Sequence, residues 1–259
     1  MEPLERCASL CRRWPLSDGV RRAAWLGLLG IALCGSLVKE FCPLPESYFS
    51  NKRNLLNVYF VKLSWGWTLV LLLFFVGLST YVVTRSVLTT LRRISSLLVG
   101  TIIWHACTSL FIYIENATGS CFVSEMEREN KTEHTDKRAC IRSGGFWEGF
   151  DISGHSFLLP YCVLMILEEA AILQDERVRK HGMKPLIELL AVLLTVLASI
   201  WAWMFCCTAV YFHTPVQKLF GTFFGVLAWY ATYRWWYLKS FSPGLPPRAS
   251  QKRVHRKAK

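Results

Sequence analysis

The amino-acid sequence predicts an all-α polytopic membrane protein with six transmembrane helices and with both termini in the cytosol. The 259 residues are 53% hydrophobic, and their mean hydropathy is +0.29. The net charge of +12 is concentrated between long uncharged stretches, so it does not form the basic face of a nucleic-acid-binding module. A disordered chain would contain far less apolar and aromatic sequence. No alternating pattern of about ten residues recurs, which disfavours a transmembrane β-barrel.

Six segments approach or exceed the length needed to cross a bilayer core about 30 Å thick. They cover residues 23–38, 63–84, 94–114, 152–173, 189–212 and 219–238. The first is short and requires Arg22 and Lys39 to extend their charged ends to the interface. The fourth reaches its length only if Glu168 and Glu169 lie at its far end, and Arg234 interrupts the sixth. An alternative interpretation of the first segment is a cleaved signal peptide. Its cleavage would leave the topology of the other segments unchanged.

The distribution of Lys and Arg predicts the orientation of these helices. With the N-terminus in the cytosol, 20 of the 30 Lys and Arg residues fall on cytosolic segments. The predicted parts are a cytosolic tail at 1–22, a membrane domain at 23–238 with a lumenal loop at about 115–151, and a basic cytosolic tail at 239–259. Two glycosylation sequons, at Asn116 and Asn130, lie in that loop, on the side where glycosylation occurs.

The cysteines indicate one disulfide rather than a framework of several. Five of the ten cysteines, Cys34, Cys107, Cys162, Cys206 and Cys207, lie in or beside apolar segments, where we expect small packing residues. Cys121 and Cys140 differ because both lie in the lumenal loop, where an oxidising compartment allows a bridge between them. No Cys or His spacing typical of a zinc site occurs, so we expect no metal site and no cofactor. A requirement for a divalent cation stays open.

Three of the six histidines deserve attention because of their position along the predicted helices. His105 lies in the middle of the third span, where an ionisable residue is expected to face the bundle interior. We interpret it as a neutral, hydrogen-bonded structural residue. His155 and His213 are instead predicted at the lumenal face, beside the beginnings of the fourth and sixth spans.

Each of these two lumenal histidines adjoins a helix N-terminus. His155 follows a segment in which Asp151 or Ser153 can cap the fourth span, and Gly154 would let a ligand approach the backbone. His213 precedes Thr214-Pro-Val-Gln217, which is typical of an N-cap followed by a proline and a capping-box glutamine. Free N–H groups at helix N-termini bind phosphate oxygens.

Two histidines at one bilayer depth are suited to phosphoryl transfer through a covalent phosphohistidine. A neutral imidazole can attack phosphorus while a protonated one gives its proton to the leaving oxygen. The alternative is that His155 and His213 are interfacial residues that hydrogen-bond to loop carbonyls. The spacing of the two histidines in the sequence does not distinguish the catalytic role from the structural one.

Four segments of the chain, at residues 50–62, 144–159, 208–213 and 241–247, resemble the fat storage-inducing transmembrane family. The resemblance runs nearly from end to end. It implies a six-span protein of the endoplasmic reticulum membrane that is needed for normal lipid droplet formation. It also implies a lumenal diphosphatase that cleaves fatty acyl-CoA to an acyl phosphopantetheine and adenosine bisphosphate.

That family is in turn similar to the lipid phosphate phosphatases. Ser153-Gly154-His155 matches the core of the second phosphatase motif, which implies that His155 is the proton donor. His213 matches the nucleophile of the third motif. Two positions depart from that motif, because Gln217 replaces the aspartate that orients the nucleophile and Cys207 replaces a phosphate-binding arginine. Gln217 can hold a histidine tautomer, but it cannot stabilise an imidazolium as a carboxylate does. No clear copy of the first motif is found.

The predicted ligands are fatty acyl-CoA and neutral lipids, and no nucleic acid. Phosphate contacts are expected from three lumenal cations, Lys52, Arg53 and Lys218. An acyl chain would lie in the bilayer beside Phe157, Leu158 and Leu159, unless these three are ordinary lipid-facing or helix-packing residues.

Two functions of other kinds remain as alternatives. The chain could be a non-catalytic scaffold that binds neutral lipid and partitions triacylglycerol into droplets, since two phosphatase residues are replaced. It could also be a transporter in which His105, Glu168 and Glu169 line a path. No inverted repeat supports the transporter, and the two glutamates lie together near the cytosolic end.

Overall fold

The computed structural model describes residues 18–42, 44–123 and 136–247. Asn130, most of the predicted N-terminal tail and the last twelve residues of the basic tail lie outside this part. The long helices are α1 (Asp18–Phe41), α2 (Ser64–Thr84), α3 (Val87–Thr118), α5 (Gly154–Glu169), α7 (Lys184–Tyr211) and α8 (Pro215–Trp229). The short elements are helices α4 (Lys137–Arg142) and α6 (Glu176–Arg179) and strands β1 (Ser120–Phe122) and β2 (Phe146–Glu148).

Short irregular turns extend three of the long helices. A 3₁₀ turn at Tyr48–Ser50, a π turn at Leu56–Phe60 and a 3₁₀ turn at Val61–Leu63 precede α2. A 3₁₀ turn at Ala170–Gln174 follows α5, and a π turn at Tyr230–Trp235 and a 3₁₀ turn at Trp236–Leu238 follow α8. The last segment is therefore helical from Pro215 to Leu238, although its hydrogen-bonding pattern changes from α to π and then to 3₁₀.

Five helical segments of the described chain are long and apolar enough to cross a bilayer. They are Gly19–Phe41, Leu56–Thr84, Val87–Thr118, Gly154–Gln174 and Lys184–Tyr211. The prediction of a helical, polytopic membrane protein is therefore confirmed. The sixth predicted span, 219–238, is not among the five. Its second half is rich in Trp and Tyr and contains Arg234, which lowers its hydropathy although the segment is helical.

The second and third long helices form a tight hairpin. Helix α2 ends at Arg85, which is left-handed at φ 54° and donates its N–H to the Tyr81 carbonyl. The Ser86 side chain then caps α3 by accepting from the N–H of Thr89. Helix α3 is longer than predicted because Arg93, expected before the span, lies within the helix and is buried against neighbouring segments.

Helix α5 is the centre of the bundle and packs against α2, α7 and α8. Its contact with α8 is close because Gly221 and Gly225 face it. A Cβ at Gly221 would overlap the carbonyl oxygen of Ser153, and one at Gly225 would overlap that of Phe157. Small residues at helix interfaces allow such backbone approach in membrane proteins.

Buried ion pairs join the helices at the end of α5 opposite its N-terminus. One guanidinium nitrogen of Arg93 donates to both carboxylate oxygens of Glu169, at 2.7 and 2.6 Å. The Tyr233 hydroxyl also donates to Glu169, at 2.6 Å, and Arg234 pairs with Glu168 at 2.5 Å. The negative charges of both glutamates are thus balanced by arginines within the bundle, as stable burial of a charge requires.

His105 does not lie where it was expected. Its side chain is exposed on the outer surface of α3, not directed into the bundle interior. The reason is that α3 packs chiefly against α2 on one face and leaves its other face uncovered. The path proposed for a transporter therefore lacks its histidine, and its two glutamates are held in ion pairs.

The segment between α3 and α5 contains the only strands of the described residues, and the rest of the described chain is helical or irregular. Strands β1 and β2 pair antiparallel, with Cys121 opposite Trp147. Cys121 and Cys140 form a disulfide across 19 positions of sequence. Trp147 packs with the two cysteines in a small separate core. Asn116 is exposed in the last turn of α3, next to this hairpin.

We predict that Gly225→Ala will lower the thermal stability of the purified protein. The added methyl group must push α8 away from the backbone of α5, and overpacking of this kind costs about 1–3 kcal/mol. Gly66→Ala is the matched control, because a Cβ at Gly66 in α2 meets no atom within 4 Å. Thermal unfolding in detergent should show a lower midpoint for Gly225→Ala alone. Equal midpoints for the two variants would contradict the close contact.

Candidate active site

One cavity of about 230 Å³ contains both His155 and His213, at the end of the bundle that also carries the disulfide-linked hairpin. It is lined by Phe49, Lys52, Asn54, Asn57, Lys62, Asp151, His155, Met204, Thr208, Phe212 and His213. The fold thus brings together residues from three distant segments of the chain, 49–62, 151–155 and 204–213. His155 and His213, which the sequence places at the same face of the membrane, line the same cavity.

His155 lies in the first turn of α5, where the cap is Ser153. The Ser153 hydroxyl accepts from the N–H of Ser156 at 3.3 Å, and its backbone N–H donates to the Gln217 carbonyl at 3.3 Å. Asp151, the alternative cap, is not used for this purpose. Gly154 is the first helical residue, and a Cβ there would meet nothing within 4 Å. His155 therefore stands at the positive end of the helix dipole, and open space adjoins Gly154.

His213 is held in the sharp connection between α7 and α8. Its backbone is left-handed, at φ 51°, which is uncommon for a residue other than glycine. Thr214 caps α8, and its N–H donates to the Gln217 side chain at 3.0 Å, so the predicted capping box is confirmed. The ammonium of Lys39 in α1 donates to the His213 carbonyl. Strained residues of this kind occur preferentially at functional sites.

The surroundings of His213 favour an uncharged imidazole. Burial lowers the pKa of His213 below its ordinary value, and the positive charges of Lys52 and Lys39 lower it further. The carboxylate of Asp151, 3.6 Å from His213 Nδ1, and a hydrogen bond with the Gln217 side chain act in the opposite direction. The net direction is downward, so the ring is available as a nucleophile at neutral pH.

Lysines supply positive charge around the two imidazoles. Lys52 and Lys62 line the cavity, and Lys39 lies behind His213. Asn57 fixes the turn that carries Lys52, because its amide donates to the Lys52 carbonyl at 2.6 Å. Of the three, sequence analysis identified only Lys52 as a site residue. Lys39 and Lys62 were available as lumenal boundary cations, but nothing in the sequence showed that they approach the histidines.

Arg53 and Lys218, two of the three predicted phosphate contacts, do not line the cavity. Arg53 is exposed and does not line the cavity. Lys218 is fully buried, and its ammonium donates to the carbonyl of Ala209, near the C-terminal end of α7. Lys218 therefore joins α8 to α7 and does not contact a ligand in the cavity. Cys207, at the position of the phosphatase arginine, is buried in α7.

The three residues proposed to contact an acyl chain are helix-packing residues. Phe157, Leu158 and Leu159 are all buried in the core. Phe157 stacks on Tyr161 and meets the ring of Phe111 edge to face. Their burial favours the helix-packing alternative, because α5 is enclosed by other helices.

The cavity combines two imidazoles, two helix N-termini and two lysines, and the pKa of one imidazole, His213, is lowered. Such a set can bind a phosphate ester, attack its phosphorus and protonate a leaving oxygen without a metal ion. Within residues 18–42, 44–123 and 136–247, no three His, Cys, Asp or Glu side chains are grouped to hold a metal.

The chain is similar to one known protein family over most of its length. The family model described as "Fat storage-inducing transmembrane protein" matches residues 45–192 and 174–233. "Acyl-coenzyme A diphosphatase FITM2" of Xenopus tropicalis is 56% identical over 252 residues, covering 97% of this chain and 96% of the relative. The protein of the same name from Homo sapiens is 54% identical over 250 residues, covering 96% and 95%.

A more distant relative is "Fat storage-inducing transmembrane protein 1" of Homo sapiens. It is 36% identical over 247 residues, which cover 92% of this chain and 83% of that protein. No solved structure gives a significant match. The family model and the near-complete relatives agree, and the chain therefore belongs to the fat storage-inducing transmembrane family.

Proposed function

We propose that the protein is a fatty acyl-CoA diphosphatase. It would cleave acyl-CoA to acyl 4′-phosphopantetheine and adenosine 3′,5′-bisphosphate. The observation that carries the proposal is the single cavity in which His155 and His213 meet beside Lys52 and Lys62. The relatives named as acyl-coenzyme A diphosphatases, at 54–56% identity over about 96% of the chain, support the same substrate.

In this mechanism His213 attacks one phosphorus of the diphosphate through Nε2, because its Nδ1 faces Asp151. A nitrogen–phosphorus bond forms and the bridging phosphorus–oxygen bond breaks. The leaving phosphate monoester takes a proton from His155. Water then attacks the phosphohistidine, His155 accepts the proton of that water, and the second monoester departs. One water molecule is consumed in all.

The cavity suits both ends of the substrate. The diphosphate carries negative charge, which Lys52, Lys62 and the two helix N-termini can balance. Phe49, Met204 and Phe212 form an apolar part of the wall. In our proposal the acyl chain leaves the cavity past these residues into the bilayer, and the buried residues of α5 pack the bundle.

The site would face the lumen of the endoplasmic reticulum in a six-span protein with both termini cytosolic. The cavity lies at the same end of the bundle as Asn116 and the disulfide-linked hairpin. The continuous helical segment from Pro215 to Leu238 is long enough to serve as the sixth crossing. By removing acyl-CoA on this side, the enzyme would support lipid droplet formation and lipid homeostasis.

A non-catalytic neutral-lipid scaffold is the second candidate. A groove of about 320 Å³ between α1 and α8 favours it, because the lining is almost entirely apolar. Trp25 and Leu29 form one side of this groove, and Phe223 and Leu227 form the other. Retention of lipid binding by an inactive His213→Ala protein would separate this role from hydrolysis.

The first test concerns topology. Glycosidase treatment of membranes should shift the band by up to two glycans, and the double substitution Asn116→Gln and Asn130→Gln should remove the shift. The reason is that oligosaccharyl transfer occurs only in the lumen. Proteolysis of the loop at 115–151 in sealed microsomes would contradict the proposed orientation.

The second test concerns the histidines. His213→Ala should lose at least about 10³-fold in acyl-CoA hydrolysis and remain inactive on activated esters, because a nucleophile cannot be bypassed. His155→Ala should lose about 10²- to 10⁴-fold on acyl-CoA. It should regain turnover on a p-nitrophenyl phosphate ester, whose leaving group needs no proton. Products are identified by mass.

His105→Ala is the matched control for these two variants. It removes an imidazole that lies on the outer surface of α3, away from the cavity, and should keep full activity. Loss of folding in both cavity variants would favour the interfacial, structural role of His155 and His213. Full hydrolysis by well-folded His213→Ala protein would exclude the phosphohistidine mechanism.

The third test concerns the lysines. Lys62→Ala should raise KM for acyl-CoA about 10-fold and change kcat less, because one charge-assisted hydrogen bond to phosphate is lost. Arg53→Ala removes the same charge outside the cavity and should leave KM within about twofold. Steady-state kinetics at fixed ionic strength make the comparison. An equal effect of the two variants would show that only the overall charge matters.

A further inference from the structure

We propose that Asp151 is the positioning residue of His213, and that its carboxylate holds the ring with Nε2 directed at the substrate phosphorus. The inference rests on the proposed function, since it assigns His213 as the nucleophile. Sequence analysis considered Asp151 only as a helix cap, a role that Ser153 fills. Nothing in the sequence placed Asp151 beside His213, 62 positions later.

The geometry of the pair fits this role. Asp151 Oδ2 lies 3.6 Å from His213 Nδ1, and their side chains are 55% and 20% exposed. That separation is longer than a hydrogen bond, which is 2.7–3.2 Å for N–H···O. The half-exposed carboxylate can close the gap by rotating about its own side-chain bonds. Hydrogen bonds at catalytic residues are often long in the absence of substrate and shorten when it binds.

The backbone around Asp151 is fixed on both sides. The N–H of Phe150 donates to the hydroxyl of Thr118 at 2.9 Å, and Ile152 is buried in the core. The N–H of Ser153 donates to the Gln217 carbonyl at 3.3 Å, which ties this segment to α8. The segment therefore places the carboxylate next to His213 while leaving its side chain free to adjust.

Asp151 is the only anion among the charged groups of the described chain that face His213. The cations are Lys52, from the segment before α2, and Lys39, from α1. His155, from α5, lines the same cavity. Within the described residues the Asp151 carboxylate forms an ion pair with His213 alone. A carboxylate at Nδ1 selects the tautomer that leaves Nε2 unprotonated, and it stabilises the positive charge that the ring acquires when it binds phosphorus.

Gln217 cannot replace Asp151 in this role. Its side chain hydrogen-bonds to His213 and also accepts from the N–H of Thr214, so it orients the ring from the α8 side. A neutral amide contributes nothing comparable to a full negative charge toward an imidazolium. Two groups therefore share the work that one aspartate does in related mechanisms: both orient the ring, and Asp151 alone supplies the negative charge.

The test compares Asp151→Asn and Asp151→Glu with wild type in detergent, using acyl-CoA over a range of pH. Asp151→Asn should lower kcat about 10- to 100-fold and change KM by less than about threefold. This is a smaller loss than the roughly 10⁴-fold seen for a buried triad aspartate, because Asp151 is half exposed. Asp151→Glu should restore most of the rate.

The pH profile separates positioning from a merely structural role. The rate rises with pH as His213 loses its proton, and the Asp151 carboxylate raises the pKa of His213. Removing that charge should therefore move the acidic limb of the profile to lower pH. Glu46→Gln is the matched control, because it removes an exposed carboxylate of the lumenal side outside the cavity, and both kcat and the limb should stay unchanged.

Three results would overturn the inference. The first is a wild-type kcat in Asp151→Asn. The second is a reduced kcat with an unmoved acidic limb, and the third is a loss that Asp151→Glu does not recover although that variant folds. Each result leaves the proposed function intact provided that wild type cleaves acyl-CoA and His213→Ala does not.

A second measurement tests the contact without the reaction. Diethyl pyrocarbonate reacts with the neutral form of a histidine ring and not with the protonated form, and peptide mass reports the modification at His213 separately from the other histidines. Asp151→Asn should lower the pH midpoint of modification at His213 and leave that at His105 unchanged. An unchanged midpoint at His213 would refute the contact. If wild type fails to cleave acyl-CoA, the proposed function fails, and this measurement still decides whether Asp151 acts on His213.

Discussion

The close contact between α5 and α8 is the constraint on which the rest of the structure depends. Gly221 and Gly225 bring the α8 backbone against the first two turns of α5, and Ser153 is bonded to the Gln217 carbonyl. The N-terminal parts of the two helices therefore lie side by side. Because His155 and His213 adjoin those two beginnings, the contact also places both imidazoles in one cavity.

Charges inside the bundle divide into two groups by their partners. At the far end of α5, Glu168 and Glu169 are held by two arginines. Lys218, in the first turn of α8, instead joins α8 to α7. These charges stabilise the helix arrangement. Around the cavity, Lys52 and Lys62 line open space, where a phosphate can reach them. Ion pairs thus stabilise one end of the bundle, whereas at the other end lysines line the cavity.

The disulfide-linked hairpin contributes to the same arrangement. The disulfide between Cys121 and Cys140 holds β1 and β2 together, and the segment after β2 continues directly to Asp151 and the start of α5. The loop between α3 and α5 therefore contributes a carboxylate to the site as well as a connection. His213 receives its surroundings from this loop, from α1 and from the segment before α2.

The sequence by itself determined the helices, the membrane class and the local caps, because hydropathy and capping depend on residues close together in the chain. The capping box at Thr214 and Gln217 is an example, as is the shared depth of the two histidines. Only the tertiary structure decided which way each side chain faces. Lys218 and Phe157 point into the core because other helices enclose them, whereas Asp151 reaches His213 because α5 and α8 meet at their N-termini. Such neighbours are fixed by packing between distant segments, which no local pattern encodes.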